Sequence, residues 1–240
     1  MTSRLALALA LLVVALPAEA RRRPPLRAGA GTVVLDGAVT DVRWTDGDTF
    51  RILSGARRGR SARLEGYNTL ETFGPVHRWG GWSGAELLEI AHEAGRFAAT
   101  KSWECTAAGD EDRYRRLLVA CPAAAAGLVR RGLAMVYAVG RPADPVLLAA
   151  QREAQRRGSG MWAKGVPRGI VTNVHSAAEN AHGAYNRVVD TSTGMTHERH
   201  HRAFYRTCQV VCETTEGDRA CMVYVPFERR YRHRPRCLRQ

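Results

Sequence analysis

The sequence predicts an α+β chain, and three observations carry that reading. Short β-type runs closed by turn residues fill Gly31 to Arg63, and helical periodicities start at Ser83 and again at Asp144. Beyond Gly165 the composition changes to Arg, His and Cys with few large apolar side chains, as in a small stapled extension. Four segments are therefore expected: residues 1–20, 21–30, 31–165 and 166–240. The first has a basic start at Arg4, an apolar run from Leu5 to Leu16 and a small-x-small end at Ala18-Glu19-Ala20. It reads as a secretory signal peptide, because the run is too short to cross a bilayer. The second, with Arg21, Arg22, Arg23, Pro24, Pro25 and Arg27, reads as a solvated basic linker.

Within 31–165 the elements follow from local chemistry. Val33 to Leu35, Val39 to Trp44 and Thr49 to Leu53 are three short strands separated by Gly and Asp turns. Ser83 caps a helix with Glu86 three residues on, and Leu87, Leu88, Ala91, Ala94, Phe97 and Ala98 form its apolar face. Lys101 to Cys105 and Leu117 to Cys121 form a hairpin; a short helix then runs from Pro122 to Arg131 and stops at Gly132. Leu133 to Val139 returns to a strand. Asp144 before Pro145 starts a helix that Gly158 ends, and Met161-Trp162 packs back on the core near the boundary at Gly165.

A formal charge of +13, mostly from Arg, favours polyanionic partners without separating nucleic acid from lipid or acidic glycan. After signal removal no membrane span is expected, and a periplasmic or extracellular monomer without an obligate protein partner is the reading. The six cysteines, Cys105, Cys121, Cys208, Cys212, Cys221 and Cys237, then favour disulfides, with fifteen pairings open. A hairpin would bring Cys105 opposite Cys121, which leaves three pairings for the rest. His197, His200 and His201 beside Cys208 and Cys212 offer zinc as an alternative, which export disfavours.

Three stretches carry chemistry: Asp46-Gly47-Asp48-Thr49, Arg63 to Thr72, and Asp112-Arg113-Tyr114-Arg115-Arg116. Taken singly, each has an ordinary explanation as a hairpin turn, a surface ion pair or a solvated charge run. Taken together, they supply the parts that cleave a phosphodiester. Arg63 and Arg116 offer forked donors for phosphate oxygens. Asp48, the Asn68 side-chain oxygen, the Thr69 carbonyl and Asp46 offer hard oxygens for a divalent cation, and Glu71 lies where it can orient or deprotonate water.

In this order and spacing the motifs resemble those of the staphylococcal nuclease family over about Gly31 to Trp162. The resemblance implies an OB-type five-stranded β-barrel with three helices and calcium-dependent hydrolysis of DNA or RNA to 3′-phosphate ends. Carried over by position, Arg63 and Arg116 hold the phosphate, Glu71 is the general base, and Asp48 and Thr69 bind the metal with Asp46 nearby. Arg113 and Tyr114 fall at the substrate site, Tyr114 lining the nucleotide. The chain departs from the family where Asn68 replaces aspartate, Leu70 replaces proline and Arg115 replaces glycine. The loss of one ligand charge at Asn68 predicts weaker calcium binding or altered ion choice.

Two further segments remain open from sequence. The loop Phe73 to Trp82 is either a stacking platform for bases or a cover for the barrel, and the latter is favoured. The stretch from Arg229 to Arg239 is either a nucleic-acid contact or a solvated tail anchored by Cys237. The competing functional reading is a catalytically silent polyanion-binding module on the same fold; an envelope interaction protein acting through its tail has no positive motif.

Overall fold

A computed structural model describes residues 29–179, 183–215 and 218–239. The expected signal peptide and nearly all of the basic linker lie outside the described residues. Strands β1 (Ala30–Leu35), β2 (Ala38–Trp44), β3 (Thr49–Ile52) and β4 (Ser61–Leu64) follow one another as antiparallel neighbours. Their inward residues alternate with exposed ones, which buries Val33, Val42, Trp44, Phe50, Ile52 and Leu64 in one core. Gly66, at φ +86°, then turns the chain into β5 (Gly66–Thr69), and β6 (His77–Trp79) follows.

Helix α1 (Gly84–Ala99) opens with the capping box of Ser83 and Glu86, and it docks Leu87, Ile90, Ala91, Ala94 and Ala98. Strands β7 (Trp103–Glu111) and β8 (Leu117–Ala120) then close the barrel in the order β1-β2-β3-β4-β8-β7. The closing pairs, β1 with β7 and β4 with β8, are parallel. Six segments complete the barrel where the resemblance implies five, because Ser61–Leu64 bridges β3 to β8 before the chain leaves at Gly66. The fold is thus an OB-like α+β barrel.

Helix α2 (Pro122–Arg130), strand β9 (Ala134–Tyr137), which pairs with β5, and helix α3 (Pro145–Arg156) complete this unit. Asp144 caps α3 by accepting from Val146 and Leu147, and Met161 and Trp162 are fully buried beyond it. Gln151 is wholly buried and ties three segments together. Its Oε1 accepts from the Val136 amide at 2.7 Å, and its Nε2 donates to the Thr191 carbonyl at 2.6 Å.

The extension is bound into this frame. Strands β10 (Gly169–Val174), β11 (Ala184–Asp190) and β12 (Thr196–His201) form one antiparallel sheet. Strands β13 (Val210–Thr215) and β14 (Asp218–Val223) form a hairpin whose second strand pairs with β6, Met222 opposite His77. A short helix α4 (Phe227–Tyr231), a fourth where the resemblance implies three, leads into the C-terminal turn. Disulfides join Cys105 to Cys121, Cys208 to Cys237 and Cys212 to Cys221. With no free thiol, the tail has no cysteine ligand to offer zinc. Among the described residues no helix is long and apolar enough to cross a membrane.

Candidate active site

The turn between β2 and β3 carries Asp46-Gly47-Asp48. A Cβ at Gly47 would lie 2.6 Å from the Thr69 methyl and 2.9 Å from the Ala94 Cβ, so glycine lets this turn press against β5 and α1. The Tyr67 hydroxyl pins it by donating to the Gly47 carbonyl at 2.9 Å. That close approach delivers the buried Asp48 carboxylate to β5. Its Oδ2 accepts from the Thr69 amide at 2.6 Å and hydroxyl at 2.9 Å, while its Oδ1 accepts from the Thr49 hydroxyl at 3.0 Å and pairs with Arg63.

Arg63, on β4, also donates to Asn68 Oδ1 at 2.6 Å and lies 5.9 Å from the Tyr137 ring centroid. The Asn68 amide in turn donates to the Thr69 carbonyl at 2.7 Å. The two neutral oxygens that sequence assigns to a cation are therefore engaged, one by Arg63 and one by Asn68 itself. Burial alone would raise the Asp48 carboxyl, yet Arg63 and the Thr69 amide bring it below the ordinary range. Asp46 moves the other way: burial, then Asp48 and Glu71, push it well above that range. Asp46, Asp48 and Glu71 thus act on one another in a buried site where Arg63 offsets part of their charge.

Glu71 follows β5 and is half-buried; its amide donates to Nε2 of the buried His77 at 3.3 Å. Burial raises its carboxyl, and Asp48 adds to the effect, while Arg230, Arg63 and Arg116 oppose it. The two arginines singled out by sequence therefore act on the candidate base from different elements, Arg63 from β4 and Arg116 from the β7–β8 turn.

That turn is organised by Asp112. Its Oδ1 accepts from the amides of Tyr114 and Arg116 at 2.9 and 3.0 Å, and its Oδ2 holds the Arg116 guanidinium at 2.6 and 2.7 Å. Arg115 sits at φ +61°, which explains in backbone terms why glycine suits this position. Arg113 and Tyr114 face the extension. The Arg113 guanidinium lies 4.8 Å over the Tyr114 ring and 5.2 Å over Tyr185 of β11, with His175 Nε2 at 3.5 Å.

Asp46, Asp48, Arg63, Asn68, Thr69 and Glu71 are thus gathered by three neighbouring segments, with Arg116 acting from a fourth and Arg113 and Tyr114 on the outer rim. The loop aromatics Phe73 and Trp79 are buried and cover the barrel. Leu70, in the position where the family has proline, is also buried, as a core residue. Sequence reasoning left Arg230 and Tyr231 undecided within the basic tail. The Tyr231 ring packs against Phe73 at 6.2 Å, and its hydroxyl is pushed up to about 12 by burial and then by Glu71 and Asp46. Cys237 was the one signal that this stretch is tied down.

The donor set suits a hard cation in kind: two aspartates, an amide oxygen and a carbonyl. Among the described residues no three His, Cys, Asp or Glu side chains group closely enough to hold a metal ion. A cation here would have to draw Asn68 Oδ1 and the Thr69 carbonyl from their present hydrogen bonds and complete its shell with water.

Residues 76–164 match the family model described as staphylococcal nuclease homologue. The matched segment runs from β6 through α3 to Trp162, so it includes Arg113, Tyr114 and Arg116, whereas Asp46 to Glu71 lie upstream of it. The stretch from β6 through α3 is thus similar to the staphylococcal nuclease homologue family. No curated protein matches the chain.

Proposed function

We propose that this protein is an exported, divalent-cation-dependent nuclease that hydrolyses phosphodiester bonds of DNA or RNA to 3′-phosphate ends, with calcium as the favoured ion. The observation that carries the reading is the hydrogen-bonded cluster of Asp48, Arg63, Asn68 and Thr69 at the strand that leads into Glu71. The three disulfides support an oxidising, periplasmic or extracellular location.

In this reading Arg63 and Arg116 clamp the non-bridging oxygens of the scissile phosphate, and their forked donors stabilise the charge that grows there. Glu71 takes a proton from water as the water oxygen bonds to phosphorus. The bond from phosphorus to the 5′-oxygen breaks, and that oxygen takes a proton from solvent and leaves as a hydroxyl. Because the Glu71 carboxyl is raised above 4.5, the acid limb of the rate profile should lie above that value, with activity lost as pH falls through it. A hard cation held by Asp46, Asp48, Asn68 and the Thr69 carbonyl would polarise a phosphate oxygen as a Lewis acid.

The competing reading is a silent polyanion-binding module, and the engagement of Asn68 by Arg63 is what favours it. One assay separates the two. Labelled single-stranded DNA and RNA are incubated with the protein, with calcium or with chelator, beside Glu71→Gln and Arg116→Ala. Calcium-dependent cutting that falls by about 10²-fold or more in both variants supports the nuclease, whereas salt-sensitive binding without cutting supports the module.

A further inference from the structure

The extension reaches the phosphate motif through the end of β9, the strand that pairs with β5. Just beyond Tyr137 the chain is tied to the turn before β12. The Ala138 amide donates to the Gly194 carbonyl at 2.8 Å, and the Ala138 carbonyl accepts from the Thr196 amide and hydroxyl, each at 3.0 Å. Gly194, at φ +70°, lets that turn press on β9, because an added Cβ would lie 2.6 Å from Val136 Cγ1. The last residue of β9 is thereby held between the barrel and the sheet of β10, β11 and β12.

Tyr137 makes contact in two directions from this position. Its ring centroid lies 5.9 Å from the Arg63 guanidinium, and its hydroxyl accepts from Nη1 of Arg187 on β11 at 3.1 Å. Arg187 is itself fixed, with a side chain only 17% exposed. Its Nη2 pairs with Glu198, directly opposite on β12, and donates to the Tyr185 hydroxyl at 3.4 Å. The Tyr185 ring centroid lies 5.3 Å from the same guanidinium.

An arginine that clamps a phosphate needs N–H donors to spare. On Arg63, Nη1 pairs with Asp48 and Nη2 donates to Asn68 Oδ1, so both terminal nitrogens are already drawn upon. An aromatic ring attracts the guanidinium charge without occupying any of its donors. Tyr137 therefore holds Arg63 in a way that leaves its forks for a ligand.

We propose that Tyr137 and Arg187 are positioning residues for phosphodiester cleavage: Tyr137 steadies the Arg63 guanidinium for the scissile phosphate, and Arg187 fixes Tyr137 from the extension. The extension is accordingly a working part of the catalytic apparatus. This rests on the nuclease reading of the site, and a phosphate titration keeps the two apart.

The full-length, disulfide-intact protein is assayed for cleavage of a single-stranded oligonucleotide and for its thermal midpoint. Tyr137→Ala removes the ring and should lower kcat about tenfold with KM within about twofold of wild type, as for a contact that matters in the transition state. Tyr137→Phe keeps the ring but loses the hydroxyl; it and Arg187→Gln should each lower kcat about threefold, and the two together no further than either alone, since both break one link. A link that merely pins the extension would lower the thermal midpoint of Tyr137→Phe and Arg187→Gln and leave kcat at its wild-type value. That result refutes the proposal, as does a double variant whose losses multiply.

If the wild type does not cleave, the nuclease reading fails. Binding of inorganic phosphate, followed by phosphorus NMR in the presence of chelator, then decides the positioning role on its own. Weakening in Tyr137→Phe and Arg187→Gln, in the direction seen in Arg63→Ala, supports it, and wild-type affinity in both overturns it.

Discussion

His77 links folding stability to the candidate base, and the link has a definite sign. The ring is 3% exposed, sits on β6 opposite Met222, and accepts the Glu71 amide on Nε2. Burial pulls its pKa from 6.5 to about 4, with the Val171 backbone opposing. The unfolded chain therefore binds a proton between those values that the folded chain refuses. The stabilisation is present above pH 6.5 and is lost as pH falls through about 4. At about 1.4 kcal/mol per pH unit the full loss is about 3 kcal/mol, or on the order of 6–12 °C in Tm for a chain of this size. The assay is calorimetry from pH 7.5 to 3.5 on wild type and His77→Gln, with disulfides intact. Glutamine keeps an acceptor for the Glu71 amide but does not titrate, so its Tm should fall less steeply by that margin. Parallel curves for the two proteins would refute the reasoning, because carboxylates such as Asp112 titrate in both.

Two substitutions test the departures at Asn68 and Arg115. Asn68→Asp restores a charge beside Arg63 and Thr69, so the calcium concentration for half-maximal activity should fall about tenfold; an unmoved titration would remove residue 68 from the ligand set. Arg115→Gly relieves a left-handed backbone at φ +61° and should raise stability by about 1 kcal/mol, seen as a higher urea midpoint at unchanged slope. A lower midpoint would mean that the Arg115 side chain contributes more than its backbone costs.

The legible parts of this fold are those set by neighbours in the chain. The capping box at Ser83 and Glu86, the Asp144 cap with Pro145, and the turn glycines act over a few residues, so their chemistry can be read directly. The Cys105 to Cys121 pairing belongs here too, since a hairpin is a local object. The strand Ser61–Leu64 was harder to see, because its parallel partner β8 lies more than fifty residues away and its four residues doubled as a motif.

The sequence by itself determined the residue types of the site, their order, and the signs of charge they bring, because these are written in the side chains. Only the tertiary structure decided how those groups are shared: that Asn68 faces Arg63, that Gly47 brings Asp48 to Thr69, and that Arg230 reaches the loop after Glu71 from the far end of the chain. The reason is physical. Ion pairs and burial act across distances of a few ångströms in space, and the elements that close those distances are separated by up to 159 positions in the chain, from Glu71 to Arg230.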